Sequence, residues 1–63
     1  MTAALLPMLT APAVAKILSV PQHRVYELTR QGILPHVRIG RQVRYPQDRL
    51  AEWIAAGGTE ATS

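Results

Sequence analysis

The sequence contains no cysteine and no phenylalanine, and its apolar runs are short. Without cysteine, a 63-residue chain has no disulfide scaffold, iron–sulfur site or cysteine-based zinc finger, which are common supports of chains this small. Leu, Ile, Val and Ala, with one Trp and two Tyr, must supply the core of a single small domain. No segment approaches the roughly 18 apolar residues of a membrane span.

Negative charge is also scarce. Four Asp and Glu face seven Lys and Arg, giving a formal net charge of +3 and a pI near 10.2. This balance favours a polyanionic partner. The apolar start has no cation before Lys16, which is not the pattern of a signal peptide. We therefore expect a location in the cytoplasm or nucleoid and no contact with a membrane.

Apolar spacing predicts a first helix, because Val14, Ile17 and Leu18 recur at i, i+3 and i+4 and form one apolar side. Thr10 is placed to cap it through its side chain, with Leu9 positioned to pack on Val14. The helix should end near Ser19, because Pro21 lacks an N–H and biases the residue before it toward an extended conformation. A tight turn follows.

A second and a third helix are predicted downstream. The second covers residues 21–31, with Pro21 at its first position and Gly32 as a left-handed cap. Its inward side should carry Val25, Leu28 and Thr29. The third begins at Pro46 and ends at Gly57-Gly58, and its apolar side should carry Leu50, Trp53 and Ile54.

Between these helices, residues 36–45 alternate in polarity. The apolar members occupy odd positions: Val37, Ile39, Val43 and Tyr45. Such alternation predicts two short strands, and Gly40-Arg41 interrupts it where a hairpin turn needs a positive φ.

The predicted order is helix, turn, helix, hairpin, helix, an α+β fold that is mostly helical. We expect a folded domain over residues 9–57, a flexible N-terminal arm over 1–8 and a flexible tail over 58–63. Two short helices joined by a tight turn, the second rich in polar residues, are typical of a module that places its second helix in the major groove of DNA. A basic hairpin loop adds a contact to phosphates or to the adjacent minor groove.

Three segments carry a family resemblance: LTAPAVAKILSV (9–20), HRVYELTRQGILPHVRIGRQVRYP (23–46) and DRLAEWI (48–54). They closely resemble the excisionase family of winged helix-turn-helix proteins, which is related in fold to MerR-type regulators and includes phage recombination directionality factors and AlpA-like transcriptional regulators. The resemblance implies that the second helix is the recognition helix and the hairpin is the wing. Two residues depart from the family pattern: Pro21 stands where such proteins commonly have a Ser or Thr N-cap, and Ala13 stands where the first helix often carries Glu. The resemblance implies that Pro21 shifts the opening turn of the recognition helix, which carries Gln22 and His23.

The candidate DNA-binding residues form two sets. On the recognition helix they are Gln22, His23, Arg24, Tyr26, Glu27 and Arg30; on the wing they are Arg38, Gly40, Arg41, Gln42 and Arg44. Arg24 is the best placed for guanine O6 and N7 and Gln22 for adenine, while the wing arginines suit phosphates.

Several of these residues have a second interpretation. Tyr26 packs its ring on the wing or offers its hydroxyl to a phosphate. Glu27 accepts a hydrogen bond from cytosine N4, or it repels the DNA backbone when the protein approaches in a wrong orientation. Arg44 binds DNA or pairs with Asp48 or Glu52. Trp53 is better explained as a core anchor than as a stacking residue.

The inventory does not support an enzyme: four carboxylates, two histidines, no cysteine and no phosphate-binding glycine loop. We expect no metal, cofactor or small-molecule substrate. The expected partners are double-stranded DNA, further copies of the chain on adjacent sites and a site-specific integrase. A transcriptional regulator is the first alternative. The second is a protein-interaction module that uses Leu5, Leu6 and Met8 of the apolar arm.

Overall fold

A computed structural model describes residues 6–58 of the chain. It contains helix α1 (Ala11–Leu18), helix α2 (Gln22–Arg30), strands β1 (Val37–Ile39) and β2 (Gln42–Arg44), and helix α3 (Gln47–Ala55). Three helices with one two-stranded antiparallel sheet confirm the predicted fold class, a small winged helix-turn-helix domain. Most of the predicted arm and tail, including Leu5, lies outside the described residues.

Every helix and the end of β2 contribute to one core. Its four largest fully buried side chains are Tyr45, Leu34, Val14 and Val25, and Leu50 of α3 joins them at 2 % exposure. Partly buried apolar side chains pack around this centre: Leu9, Leu18, Val20, Leu28, Val43 and Trp53. Burying a side chain of this size contributes about 1.5–3 kcal/mol, so these contacts fix the positions of the short helices.

Helix α1 has no side-chain capping hydrogen bond at its N-terminus, and a residue in the left-handed conformation follows its C-terminus. Thr10 is the N-cap, but its hydroxyl makes no capping hydrogen bond, so the predicted side-chain cap is wrong. Pro12, in the first turn, has no N–H to offer it. At the other end Ser19 adopts a left-handed φ of 59°, which lets the Val20 N–H donate to the Ala15 carbonyl at 3.0 Å.

Helix α2 begins one residue later than predicted, because Pro21 is its N-cap rather than its first helical residue. Val25 and Thr29 are buried and Leu28 is partly buried, as the inward side predicted from the sequence requires. The helix ends before Gly32, whose φ of +76° confirms the predicted left-handed turn.

The hairpin pairs Val37 with Arg44, Arg38 with Val43 and Ile39 with Gln42, around Gly40-Arg41. Paired residues lie on the same face of an antiparallel sheet, so odd positions of β1 share a face with even positions of β2. The odd-numbered apolar residues therefore do not form a common face. Val43 and Tyr45 point to the core, whereas Val37 and Ile39 are 37 % and 52 % exposed.

Two further features complete the fold. Leu9 pairs with Tyr45 in an isolated antiparallel bridge, with reciprocal backbone hydrogen bonds of 2.8 and 2.9 Å. In α3, Leu50 and Trp53 face the core as predicted, but Ile54 is 44 % exposed. Ile17 of α1 likewise departs from its predicted apolar side, since it is 51 % exposed whereas Val14 is fully buried. No helix within residues 6–58 has the length and apolarity to cross a membrane.

Candidate nucleic-acid interface

The outer side of α2 is polar and open to solvent. Val25 and Thr29 are turned inward, and the helical period of 3.6 residues places Arg24 and Glu27 on the opposite side. The other candidates on this helix are exposed: Gln22, His23, Tyr26 and Arg30. All six predicted recognition-helix residues are therefore accessible to a partner, with Glu27 the most covered of them.

Arg24 and Glu27 form an ion pair on this outer side. Arg24 Nη1 donates to Glu27 Oε1 at 2.8 Å, and the side chains are 51 % and 39 % exposed. The hydrogen bond from Arg24 is the main cause that lowers the pKa of Glu27, with smaller contributions from the positive charges of Arg24, His23 and Arg30. Glu27 is therefore ionised at neutral pH, and it occupies part of the guanidinium that was predicted to read a base.

A second contact joins Gln22 and Tyr26 one turn apart. Gln22 Nε2 donates to the Tyr26 hydroxyl at 3.0 Å, and Tyr26 is 46 % exposed. Gln22 and the tyrosine hydroxyl thus present one polar surface at the start of α2. Either group can exchange this weak surface contact for one with a nucleic acid.

The hairpin tip presents Arg41. Gly40 has a φ of +62° and Arg41 a negative φ, the combination of a type II′ turn, in which glycine takes the first central position. A Cβ at position 40 would meet no atom within 4 Å, so the backbone conformation, not lack of space, favours glycine there. Arg41 is exposed at the end of the turn, as are Arg38 and Gln42 beside it.

Arg44 is more constrained than the other wing arginines. Its Nη1 donates to the Val43 carbonyl at 2.9 Å and its Nη2 to Gln42 Oε1 at 3.3 Å. It forms no ion pair with Asp48 or Glu52, since Arg24–Glu27 is the one pair found within residues 6–58. These bonds hold the Arg44 guanidinium along β2, on the same face as Val37.

A buried hydrogen bond connects α2 to the residue that directly follows the hairpin. Thr29 Oγ1 and the Tyr45 hydroxyl are 2.7 Å apart, and the threonine also donates to the Val25 carbonyl at 2.7 Å. Thr29 is 6 % exposed and Tyr45 0 %. Sequence reasoning placed both residues but missed their contact, because it joins positions 16 residues apart.

Metal binding has no support in the described geometry. Within residues 6–58 no three His, Asp or Glu side chains come together as a possible ligand set. His36 uses its Nδ1 in a 2.9 Å hydrogen bond with the Leu34 carbonyl, which orients its ring locally.

Comparison with known proteins identifies a family. No curated protein and no solved structure matches the chain. The family model described as a helix-turn-helix domain matches residues 8–58, which include every helix and strand of the structure. Such domains bind double-stranded DNA, in agreement with the exposed cations of α2 and the hairpin. The chain belongs to the helix-turn-helix domain family of DNA-binding proteins.

Proposed function

We propose that α2 enters the major groove and that the β1–β2 hairpin, the wing, lies on the adjacent phosphates or minor groove. The observation that carries this arrangement is the Thr29–Tyr45 hydrogen bond of 2.7 Å, because it ties the base of the wing to the second half of α2. Two basic elements held in a fixed relation suit one rigid target, a duplex, better than a flexible polyanion.

Within this arrangement the residues have different tasks. Arg24 has the reach and the planar fork for guanine O6 and N7 from the first half of α2. Arg41 at the hairpin tip binds phosphates, or enters a narrow minor groove, where the negative potential attracts guanidinium. Arg30 and Arg38 add charge without reading bases.

We further propose that the protein is an excisionase. Several copies bind adjacent sites, bend attachment-site DNA and direct an integrase toward excision, while the protein itself breaks no bond. The resemblance of residues 9–54 to the excisionase family supports this role. So does size, because one small module buries only about 600–1,000 Å² on DNA, and neighbouring copies would add the missing specificity.

A transcriptional regulator with the same DNA chemistry is the second candidate. An integrase gene next to the gene for this chain would favour excision, and its absence together with a nearby promoter site would favour regulation. A protein-interaction module is the third, favoured by the exposure of Leu6 (57 %) and Met8 (44 %). Its association with a partner would be insensitive to salt.

The deciding experiment is fluorescence anisotropy of a labelled random-sequence duplex titrated with protein at several salt concentrations. Neutralising roughly four to five phosphates gives a slope of log K against log[salt] of about −3 to −5. Once a target sequence has been selected from a randomised duplex library, DNA bending is tested by the gel migration of circularly permuted fragments that carry this sequence. Absence of binding at low salt would overturn the DNA proposal and favour the interaction module.

A further inference from the structure

One carboxylate stands among the cations on the outer side of α2. Glu27 lies one turn after Arg24 and one turn before Arg30, and His23 precedes it by four residues. Its Oε1 accepts from Arg24 Nη1 at 2.8 Å, and both side chains remain largely accessible. The ion pair therefore lies on the surface that would face the bases.

This carboxylate opposes binding to phosphates. A negative charge on the contact surface repels the DNA backbone, and the pair occupies an N–H of Arg24 that a phosphate would otherwise take. Exposed ion pairs are weak, so replacing the Arg24–Glu27 bond with an Arg24–phosphate bond costs little free energy. That cost is the same for every DNA sequence. In the folded protein, the ion pair thus weakens the sequence-independent binding of α2 to DNA.

The same pair remains compatible with base recognition. A guanidinium has five N–H donors, and one bond to Glu27 leaves enough for a bidentate contact with guanine O6 and N7. The carboxylate fixes the plane of that fork, and its remaining lone pairs can accept from the N4 amino group of cytosine. A G·C pair satisfies both partners in the major groove, because guanine O6 and N7 accept from Arg24 and the N4 amino group of the paired cytosine donates to Glu27, whereas a phosphate satisfies only Arg24.

We infer that Glu27 is a selectivity-determining residue, which positions Arg24 for guanine and penalises phosphate contacts by α2. The inference rests on the proposed placement of α2 in the major groove. It goes further in assigning the cytosine of that G·C pair to Glu27 and in giving this acidic residue a positive role on a DNA-binding surface.

The test compares Glu27→Gln with Glu52→Gln. Both variants remove one negative charge from an exposed helical position, but Glu52 lies on α3 and forms no ion pair among the described residues. Binding to a random-sequence duplex is measured by anisotropy, and base preference by selection from a randomised duplex library. Thermal unfolding verifies that each variant is folded.

We expect Glu27→Gln to bind the random duplex about two- to fivefold more tightly than Glu52→Gln does. Selection should give the wild type and Glu52→Gln a guanine preference at one position that Glu27→Gln loses. Arg24→Lys, which keeps the charge but lacks the fork, should lose the same preference while keeping its affinity for random DNA.

The outcomes separate the two proposals. Failure of the wild type to bind any duplex overturns the proposed function. Binding by the wild type, with Glu27→Gln indistinguishable from Glu52→Gln in either assay, overturns the role of Glu27 and leaves the proposed function standing.

Discussion

The hydroxyl groups of Thr29 and Tyr45 meet in the core at 2.7 Å and join α2 to the residue that directly follows β2. Tyr45 is fully buried, and its backbone also pairs with Leu9. One residue thus ties α2, the hairpin and the segment before α1 together. Disturbing it should affect stability and the placement of the wing at the same time.

Substitutions of Thr29 and Tyr45 should lower the free energy of unfolding by different amounts. Tyr45→Phe leaves Thr29 bonded to the Val25 carbonyl and should cost about 1 kcal/mol. Thr29→Val leaves the Tyr45 hydroxyl buried without a partner and should cost about 1–3 kcal/mol. Urea unfolding measures both. The double variant should be no less stable than Thr29→Val alone; strictly additive losses would show that the two hydroxyls do not interact.

The hairpin turn should be sensitive to position 40. Gly40→Ala places a Cβ at a φ of +62° and should destabilise the fold by about 1–2 kcal/mol, through backbone strain alone. Gly40→Asn, which tolerates a left-handed conformation better, should lose less. Thermal unfolding compares the two. Equal losses would mean that the side chain as such, and not its φ preference, is excluded from the turn.

Arg41 should contribute to binding every DNA sequence. Arg41→Ala is expected to weaken binding to specific and random duplexes alike and to reduce the magnitude of the salt slope by about one. Arg49→Ala is the matched control, because it removes the same charge from an exposed position on α3. If both variants give the same slope, net charge and not the hairpin tip governs binding.

The Arg24–Glu27 pair should give stability a small acid dependence. Arg24 lowers the pKa of Glu27 in the folded chain, so ionised Glu27 favours folding above the ordinary glutamate pKa. That contribution is lost as the pH falls through the lowered value. The melting temperature of the wild type should therefore exceed that of Glu27→Gln at neutral pH and approach it in acid. A difference in melting temperature that stays constant with pH would show that the glutamine amide of the variant, and not the charge of Glu27, causes it.

Features set by single residues along the chain could be predicted. Pro21 and Pro46 mark where α2 and α3 begin, although each is the N-cap and not, as predicted, the first helical residue. Gly32 follows the end of α2 with a positive φ, as predicted. The exposed polar side of α2 followed from helical period. These local rules were enough for the fold class and for the accessibility of the recognition-helix candidates.

Features that depend on pairing could not be predicted. The two-residue turn pairs odd with even positions, so the alternation that predicted the two strands did not show that Val37 and Ile39 lie on the opposite face from Val43. The left-handed conformation of Ser19 could not be predicted either, because serine seldom takes a positive φ and does so here between two packed helices. The Leu9–Tyr45 bridge and the Arg24–Glu27 pair depend on geometry that the residue types alone leave open.

Trp53 gives the chain an optical probe of its own. It is the one tryptophan in the sequence, it packs against the core from α3, and its indole Nε1 is buried without a hydrogen-bond partner in the described part of the chain. An indole shielded from water emits at shorter wavelength than a solvated one. The intrinsic fluorescence should therefore report the docking of α3, so that unfolding can be followed without a label, both in the presence and in the absence of DNA.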